Sequence, residues 1–498
     1  MERASGVLMP VSSLPGPYGI GSFGWNAYDF VDFLASCKQH YWQILPLTTT
    51  SYGDSPYQSF SARAGNPNFI DFAELIEAGY LEQRDIDGVY LGSDPSNVDY
   101  GAIFGGRRQI LDRAAERFAA DKPADFDDFI QANEDWLIPY CEFMTVKEEC
   151  GLKAFWEWPA ELRTRGEASA KVCADHPARM LYHQMTQYFF DRQWSRLKAY
   201  ANERDILIIG DLPIYVSRDS VEMWATPELF KIDAAGNPVS VAGTPPDQFS
   251  ATGQYWGNPI YDWDAMESDG FSWWEGRIRA ALDMYDVIRL DHFRGFEAYW
   301  EVPFSSPDSS YGSWTQGPGL KFFKTLEEKL GTLPIIAEDL GFLTPGVIDM
   351  RDNSGFPGMK ILQFAFDARE KSDYIPFKYP KNCVVYTGTH DNDTILGWLR
   401  SAPPASVRYA KSYLLCETVA DETCVDFFVS AALSCAADWA VIPIQDWLRL
   451  GHEARINTPS TLGGNWVWRL RSGSCTKALA KEMKRKTELY ERNSVIEP

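Results

Sequence analysis

The chain has 498 residues, 45% hydrophobic and 23% charged, a balance that supports a large core and excludes a disordered polymer. Its formal charge of −22 would repel nucleic-acid phosphates and anionic membrane surfaces, so neither is expected as a partner and a neutral ligand is. Residues 1–9 lack the apolar core of a signal peptide and no apolar run long enough to span a bilayer occurs, so no membrane partner is expected from hydropathy either. Nine scattered cysteines without a CxxC pair suggest neither a zinc site nor a disulfide framework, and the expected setting is reducing and cytoplasmic. Aromatic residues make up 14%, with 18 Trp. Flat apolar rings suit the apolar face of a sugar as well as a core.

In chain order, eight short apolar runs end in Gly, Pro or charge: Gly6 to Pro10, Tyr41 to Leu47, Ile206 to Asp211, Asp286 to Asp291, Pro334 to Asp339, Lys360 to Phe366, Cys383 to Thr387 and Ala440 to Gln445. Amphipathic stretches such as Leu181 to Tyr200, Phe271 to Met284 and Gly319 to Leu330 lie between them. The pattern predicts an α/β fold, a single (β/α)8 TIM barrel over residues 1–498. Two gaps are longer than a βα unit needs. The first predicts a mainly helical subdomain inserted at about residues 52–180 after strand 2. Its charge runs at 124–129 and 146–149 read as solvated helix faces. The second predicts an insertion at about 212–285 after strand 3. Within it, residues 243–263 are too rich in Gly, Pro and Asn for regular structure and read as an active-site loop, a lid carrying Phe249, Tyr255 and Trp256.

Acidic residues gather at the C-terminal ends of these runs, the face where barrel enzymes build their sites. The stretch DVIRLDHFRGF (286–296) is the densest. Arg289 and Asp291 alternate onto one strand face, and a guanidinium beside a carboxylate favours the anion that a nucleophile must be. Glu338 follows Ile335, Ile336 and Ala337, an apolar approach that raises a carboxyl pKa and suits a proton donor. Asp339 points elsewhere if the strand persists. Asp391, after His390 in GTHDND, is the third acid, placed to hold sugar hydroxyls. Two carboxyl groups flanking a glycosidic bond are what retaining glycoside chemistry needs. The structural alternative is a set of ion pairs and helix caps.

The motifs LPGPYGIGSFG (14–24), WQILPL with GDSPYQSFSA (42–62), GDLPIYV (210–216), PPDQFSATGQYWGNPIYDW (245–263), RLDHFRGF (289–296), IIAEDLG (335–341), GTHDNDT (388–394) and RINTPSTLGGNWVWRL (455–470) resemble, in order and over nearly the whole chain, those of the 4-alpha-glucanotransferases called amylomaltase or disproportionating enzyme. These are relatives of the alpha-amylase clan without its C-terminal β-domain. The resemblance implies Asp291 as nucleophile, Glu338 as general acid/base and Asp391 as transition-state stabiliser. It also implies sugar contacts from Tyr57, Asp211, Gln254, Trp256, Arg289, His292, His390 and Asn465, and a remote glucan contact from Tyr52. The expected partners are alpha-1,4-glucans such as maltooligosaccharides, amylose and glycogen, with no cofactor and no metal ion; the sequence sets no oligomeric state. The rival readings are an alpha-glucan hydrolase and a catalytically inert glucan-binding protein. Arg289→Ala is expected, from sequence, to depress turnover far more than folding.

Overall fold

Every one of the eight apolar runs holds a barrel strand. The computed structural model describes residues 2–246, 250–341 and 343–493, with Tyr52 described in its backbone alone. Its strands are β1 (Ala4–Leu8), β2 (Tyr41–Gln43), β3 (Leu207–Leu212), β4 (Ser240–Thr244), β5 (Gln254–Pro259), β6 (Val287–Leu290), β7 (Ala298–Pro303), β8 (Ser313–Gln316), β9 (Ile335–Ala337), β10 (Gly358–Ile361), β11 (Cys383–Tyr386) and β12 (Trp439–Pro443). A closed parallel barrel runs in the order β1-β12-β11-β10-β9-β6-β3-β2. Apolar side chains such as Trp42, Ile208, Ile288, Ile336, Val384 and Val441 are fully buried in it, as a barrel whose strands have two covered faces demands.

Strand ends moved where small side chains hide a strand from an apolar pattern. β1 starts two residues before its run because Ala4 and Ser5 pair with Trp439 and Ala440. Gly6 is needed there, since a Cβ on it would lie 2.5 Å from that of Tyr41. The sixth run is displaced in the same direction and further at its end. Its strand ends at Ile361 and the chain turns into a 3-10 helix over Leu362–Phe366, where the Gln363 side chain donates to the Asp393 carbonyl at 2.6 Å.

Between β2 and β3 the chain is largely helical, with the helices Tyr100–Ala120, Glu134–Glu149 and Pro177–Asn202 packed together. The run at 146–149 is not a solvated face. Lys147 is buried and bonds Asp219 at 2.5 Å. Glu148 accepts from Arg108 at 2.7 Å and from Arg179 at 2.9 Å. The turn of the helix aims both side chains at its neighbours, which a count of charges along the chain does not register.

The stretch 243–263 also differs from expectation. It contains regular structure: β4 and β5 pair antiparallel, and β7 and β8 complete a four-stranded sheet in the order β5-β4-β7-β8. Gly243 marks a bulge rather than a break. The β4–β5 register shifts between Val241 and Gly243, and a Cβ on Gly243 would sit 2.5 Å from the Gln254 carbonyl. Glycine therefore permits the pairing, as it does at bulges generally. Half of this sheet follows β6, not β3, so the insertion that faces the barrel mouth is built from two connections. Phe249, assigned to the lid, lies outside the described residues.

One expectation about cysteine is corrected. Cys416 and Cys424, eight residues apart with Cα atoms at 5.9 Å, form a disulfide, because the connection between the helices Pro404–Tyr413 and Asp421–Ser434 folds back on itself. Among the described residues no helix is long and apolar enough to cross a membrane.

Candidate functional site

The register of three neighbouring strands sets the site. Asp211 of β3 stands opposite Arg289 of β6, and Leu290 of β6 stands opposite Ala337 of β9. One step further, the Asp291 N–H donates to the Leu212 carbonyl at 3.0 Å and the Glu338 N–H donates to the Leu290 carbonyl at 3.1 Å. The ladder thus continues just past the strands and delivers Asp291 and Glu338 side by side at the C-terminal mouth.

Arg289 organises the first of these carboxylates. Its Nη1 donates to Asp211 Oδ1 and Oδ2 at 2.8 and 2.7 Å and to Asp291 Oδ1 at 2.8 Å. Burial opposes the guanidinium's charge, but the two carboxylates overcome it and hold its pKa well above the ordinary value. The Asp211 side chain has 0% exposure, against 26% for Asp291. Asp211 is the structural end of the triad and Asp291 the reachable one. Tyr57, from the loop before the helical insertion, donates its hydroxyl to Asp211 Oδ2 at 2.9 Å. It stacks on His390 with ring centroids 5.1 Å apart.

Glu338 sits in a different environment. Its Oε2 accepts from the His292 N–H at 2.8 Å and its Oε1 from the Leu340 N–H at 3.0 Å. Burial is the largest influence on it, partly offset by Arg289 and reinforced by the charge of Asp291, and its pKa is pushed up to about 8. A carboxyl that keeps its proton stands beside one held by a cation. Asp339 does point away: it accepts from Arg351 Nη1 at 2.6 Å and from the Met359 N–H at 2.8 Å.

His292 adopts a left-handed backbone, φ 51°, which turns the chain sharply after Asp291 and aims its N–H at Glu338. Burial pushes the imidazole pKa down to about 4, so the ring is neutral at physiological pH. The Trp256 ring meets it edge-on at 4.8 Å, and Trp256 Nε1 donates to Gln254 Oε1 at 3.1 Å. Gln254 and Trp256, two apart on β5, therefore share a face and bring the small sheet against the end of β6.

The loop after β11 carries His390, buried, and Asp391, whose side chain is 46% exposed. His390 Nε2 lies 3.4 Å from Asp391 Oδ1. Asn465 bonds within its own loop. Its Oδ1 accepts from the Thr458 N–H at 2.9 Å and its Nδ2 donates to the Thr461 carbonyl at 3.1 Å, so its amide closes its own loop. The ring that the next residue presents is the one near the site: Trp466 lies 5.8 Å from Tyr57 and 5.9 Å from His390. Tyr52 falls in the turn Tyr52–Asp54, and its side chain lies outside the described residues. Sequence reasoning missed Trp466, although it lies in RINTPSTLGGNWVWRL. A Trp at the foot of a Gly-rich loop was the available signal.

Among the described residues no group of three or more His, Cys, Asp or Glu side chains is arranged to hold a metal ion. The arrangement offers a carboxyl group bonded by a guanidinium, a second beside it whose pKa is raised, a third acid across the opening, and aromatic rings around them. This is an apparatus for breaking and remaking a glycosidic bond.

The glycoside hydrolase family 77, described as 4-alpha-glucanotransferase, matches residues 9–476. The chain is 51% identical over 495 residues to a 4-alpha-glucanotransferase of Streptococcus pneumoniae serotype 4, which covers 99% of this chain and 98% of that protein. It is 44% identical over 502 residues to the 4-alpha-glucanotransferase of Thermus thermophilus, with 99% of each covered. Its fold matches that of the amylomaltase from Streptococcus agalactiae in complex with acarbose with a TM-score of 0.96 and 44% identity, over 99% of this chain and 100% of that one. On likeness of this extent, the chain belongs to the 4-alpha-glucanotransferase family.

Proposed function

We propose that Asp291 is the nucleophile, Glu338 the general acid and base, and Asp391 the group that stabilises the transition state in a retaining transfer between alpha-1,4-glucans. The observation that carries this reading is the placement of Asp291 and Glu338 one step past paired residues on adjacent strands, in opposite protonation environments. Strands about 4.8 Å apart suit the carboxyl separation of about 5–5.5 Å that retention requires. Asp291 attacks the anomeric carbon while Glu338 gives its proton to the glycosidic oxygen, and the bond to the leaving glucan breaks. The product is a glycosyl ester on Asp291 and a carboxylate on Glu338. The 4-hydroxyl of an acceptor then loses its proton to Glu338, its oxygen bonds the anomeric carbon, and Asp291 departs as carboxylate.

The charge of Asp291 is one cause of the raised Glu338 pKa. Esterification removes that charge, so the Glu338 pKa falls and the group stays ionised after giving up its proton, ready as the base needed next. A general acid works while protonated. Activity on maltotriose is therefore expected to fall as pH rises through about 8, following the Glu338 value of about 8, while the acid limb is set by protonation of the attacking carboxylate. Measuring kcat/KM against pH tests this. An alkaline limb absent up to about pH 10, the ordinary range of a Tyr rather than a carboxyl, would assign the acid to another group.

Transfer is separated from hydrolysis by incubation with maltotriose alone. Longer oligomers and glucose at a constant number of reducing ends are expected; a steady rise in reducing ends would mean that water takes the place of the acceptor. Maltooligosaccharides, amylose and glycogen are the proposed substrates. A cytoplasmic site of action is proposed from the seven cysteines that stay free thiols; the Cys416–Cys424 disulfide is the feature that weighs against a reducing setting.

A further inference from the structure

Asp391 is the most exposed of the three acids, 46% at the side chain, so barrel packing does not fix its rotamer. The segment after β12 does. Asn457 donates from Nδ2 to Asp391 Oδ1 at 2.6 Å, and Arg455 Nη2 donates to the Asp391 carbonyl at 2.8 Å. His390 Nε2 approaches the same Oδ1 only to 3.4 Å. The main chain of Asn457 is anchored independently. Its N–H donates to the His390 carbonyl at 3.1 Å, and its own carbonyl accepts from Arg455 Nε at 2.7 Å. The loop is thus tied down without the side-chain amide, which is directed at one carboxylate oxygen.

The chemistry of the donor matters. An amide N–H is neutral, so it can fix a carboxylate without cancelling the negative charge that an oxocarbenium-like transition state needs nearby. A lysine or arginine at this point would hold Asp391 and also neutralise it.

We propose that Asn457 is the positioning residue of Asp391: it holds Oδ1 and leaves Oδ2 for the sugar. This rests on the reading of Asp391 as transition-state stabiliser. Arg455 supports the arrangement from below, through the main chain on both sides of it. A group supplied by the segment after the last barrel strand thereby sets the geometry of an acid carried by the strand before it.

The test compares Asn457→Ala, Asn457→Asp and Asp391→Asn in maltotriose disproportionation, with kcat and KM separated and melting temperatures measured. Asn457→Ala should lower kcat about 10- to 100-fold, the scale of a hydrogen bond to a charged group, with KM changed by less than about twofold. Its melting temperature should hold, because the main-chain bonds remain. Asn457→Asp keeps the shape but turns the donor into an acceptor facing Asp391, and should be slower still. That variant carries the same comparison if Asn457→Ala fails to fold. A kcat near wild type in Asn457→Ala, a loss confined to KM, or recovery of kcat in Asn457→Asp would overturn the assignment. If Asp391→Asn is inactive while Asn457→Ala is not, only the positioning role falls. If Asp391→Asn turns over like the wild type, the reading of Asp391 falls, and the role of Asn457 with it.

Discussion

Replacing Asp291 by Asn is expected to lower kcat/KM for maltotriose by roughly 10⁴-fold or more, the scale seen when a covalent nucleophile is removed. The amide keeps the shape and cannot form the glycosyl ester. Folding should survive, because Arg289 retains both oxygens of Asp211 as acceptors when Asp291 loses its charge. Melting temperature and initial rates on the same preparation make the comparison. The complementary variant, Glu338→Gln, given a donor whose leaving group needs no proton, such as a maltooligosyl fluoride, should accumulate a glycosylated protein. Peptide mass mapping should place the added sugar on Asp291. Transfer by Asp291→Asn above about 1% of wild type, well outside the loss expected for a nucleophile, would move the covalent bond to another residue.

Arg289→Ala should damage both activity and stability. From sequence alone the residue reads as a group that keeps Asp291 charged, whose loss would spare the fold. The structure changes that expectation through Asp211, whose side chain is 0% exposed and takes two bonds from Arg289 Nη1. Removing the guanidinium leaves a buried carboxylate facing another with no cation between them. The cost of breaking a buried pair in this way is about 3–5 kcal/mol, measurable by denaturant unfolding. Turnover per folded molecule should fall roughly 10²- to 10³-fold, comparable to the removal of an electrostatic catalytic group. Arg289→Lys keeps the charge but not the planar donor set, and should lie between. Adding Asp211→Asn to Arg289→Ala should restore part of the stability and little of the turnover. Unchanged unfolding in Arg289→Ala would show that Asp211 takes up a proton at no cost.

The barrel was legible because its strands are apolar on both faces and end in polar residues, a pattern that survives without knowledge of partners. The alternation that put Arg289 and Asp291 on one strand face was legible for the same reason, and the apolar approach to Glu338 foretold its raised pKa. Asp211 was legible only as a motif residue. Its pairing with Arg289 depends on the register between β3 and β6, which no local pattern contains. Asn457 was hidden because its partner lies 66 residues away, on a loop that follows a different strand. The stretch 243–263 was misread because glycine and proline signal the absence of structure when read along the chain. In a sheet they can instead mark where another backbone comes close, as Gly243 does beside Gln254. Lys147 and Glu148 were misread for a related cause: charge says solvent until a partner of opposite sign is known.

The four-stranded sheet carries a consequence for how this protein can be altered by recombination. Gln254 and Trp256 ride on β5, but β4 is paired along Ser240 to Gly243 with β7, whose matching residues run from Pro303 back to Trp300. β7 begins seven positions after Asp291, as Ala298. A graft that exchanged residues 240–259 alone between relatives would bring in a hairpin whose inner edge must find an unrelated partner, and an unpaired edge invites association with other chains. The exchangeable unit is discontinuous: it joins 240–259 to 298–316 and carries the segment of Asp291 between them. The β5 face that carries Gln254 and Trp256 and the strand end that carries Asp291 are therefore inherited together, and diversification on this side of the barrel is channelled into paired changes on two distant stretches of the chain.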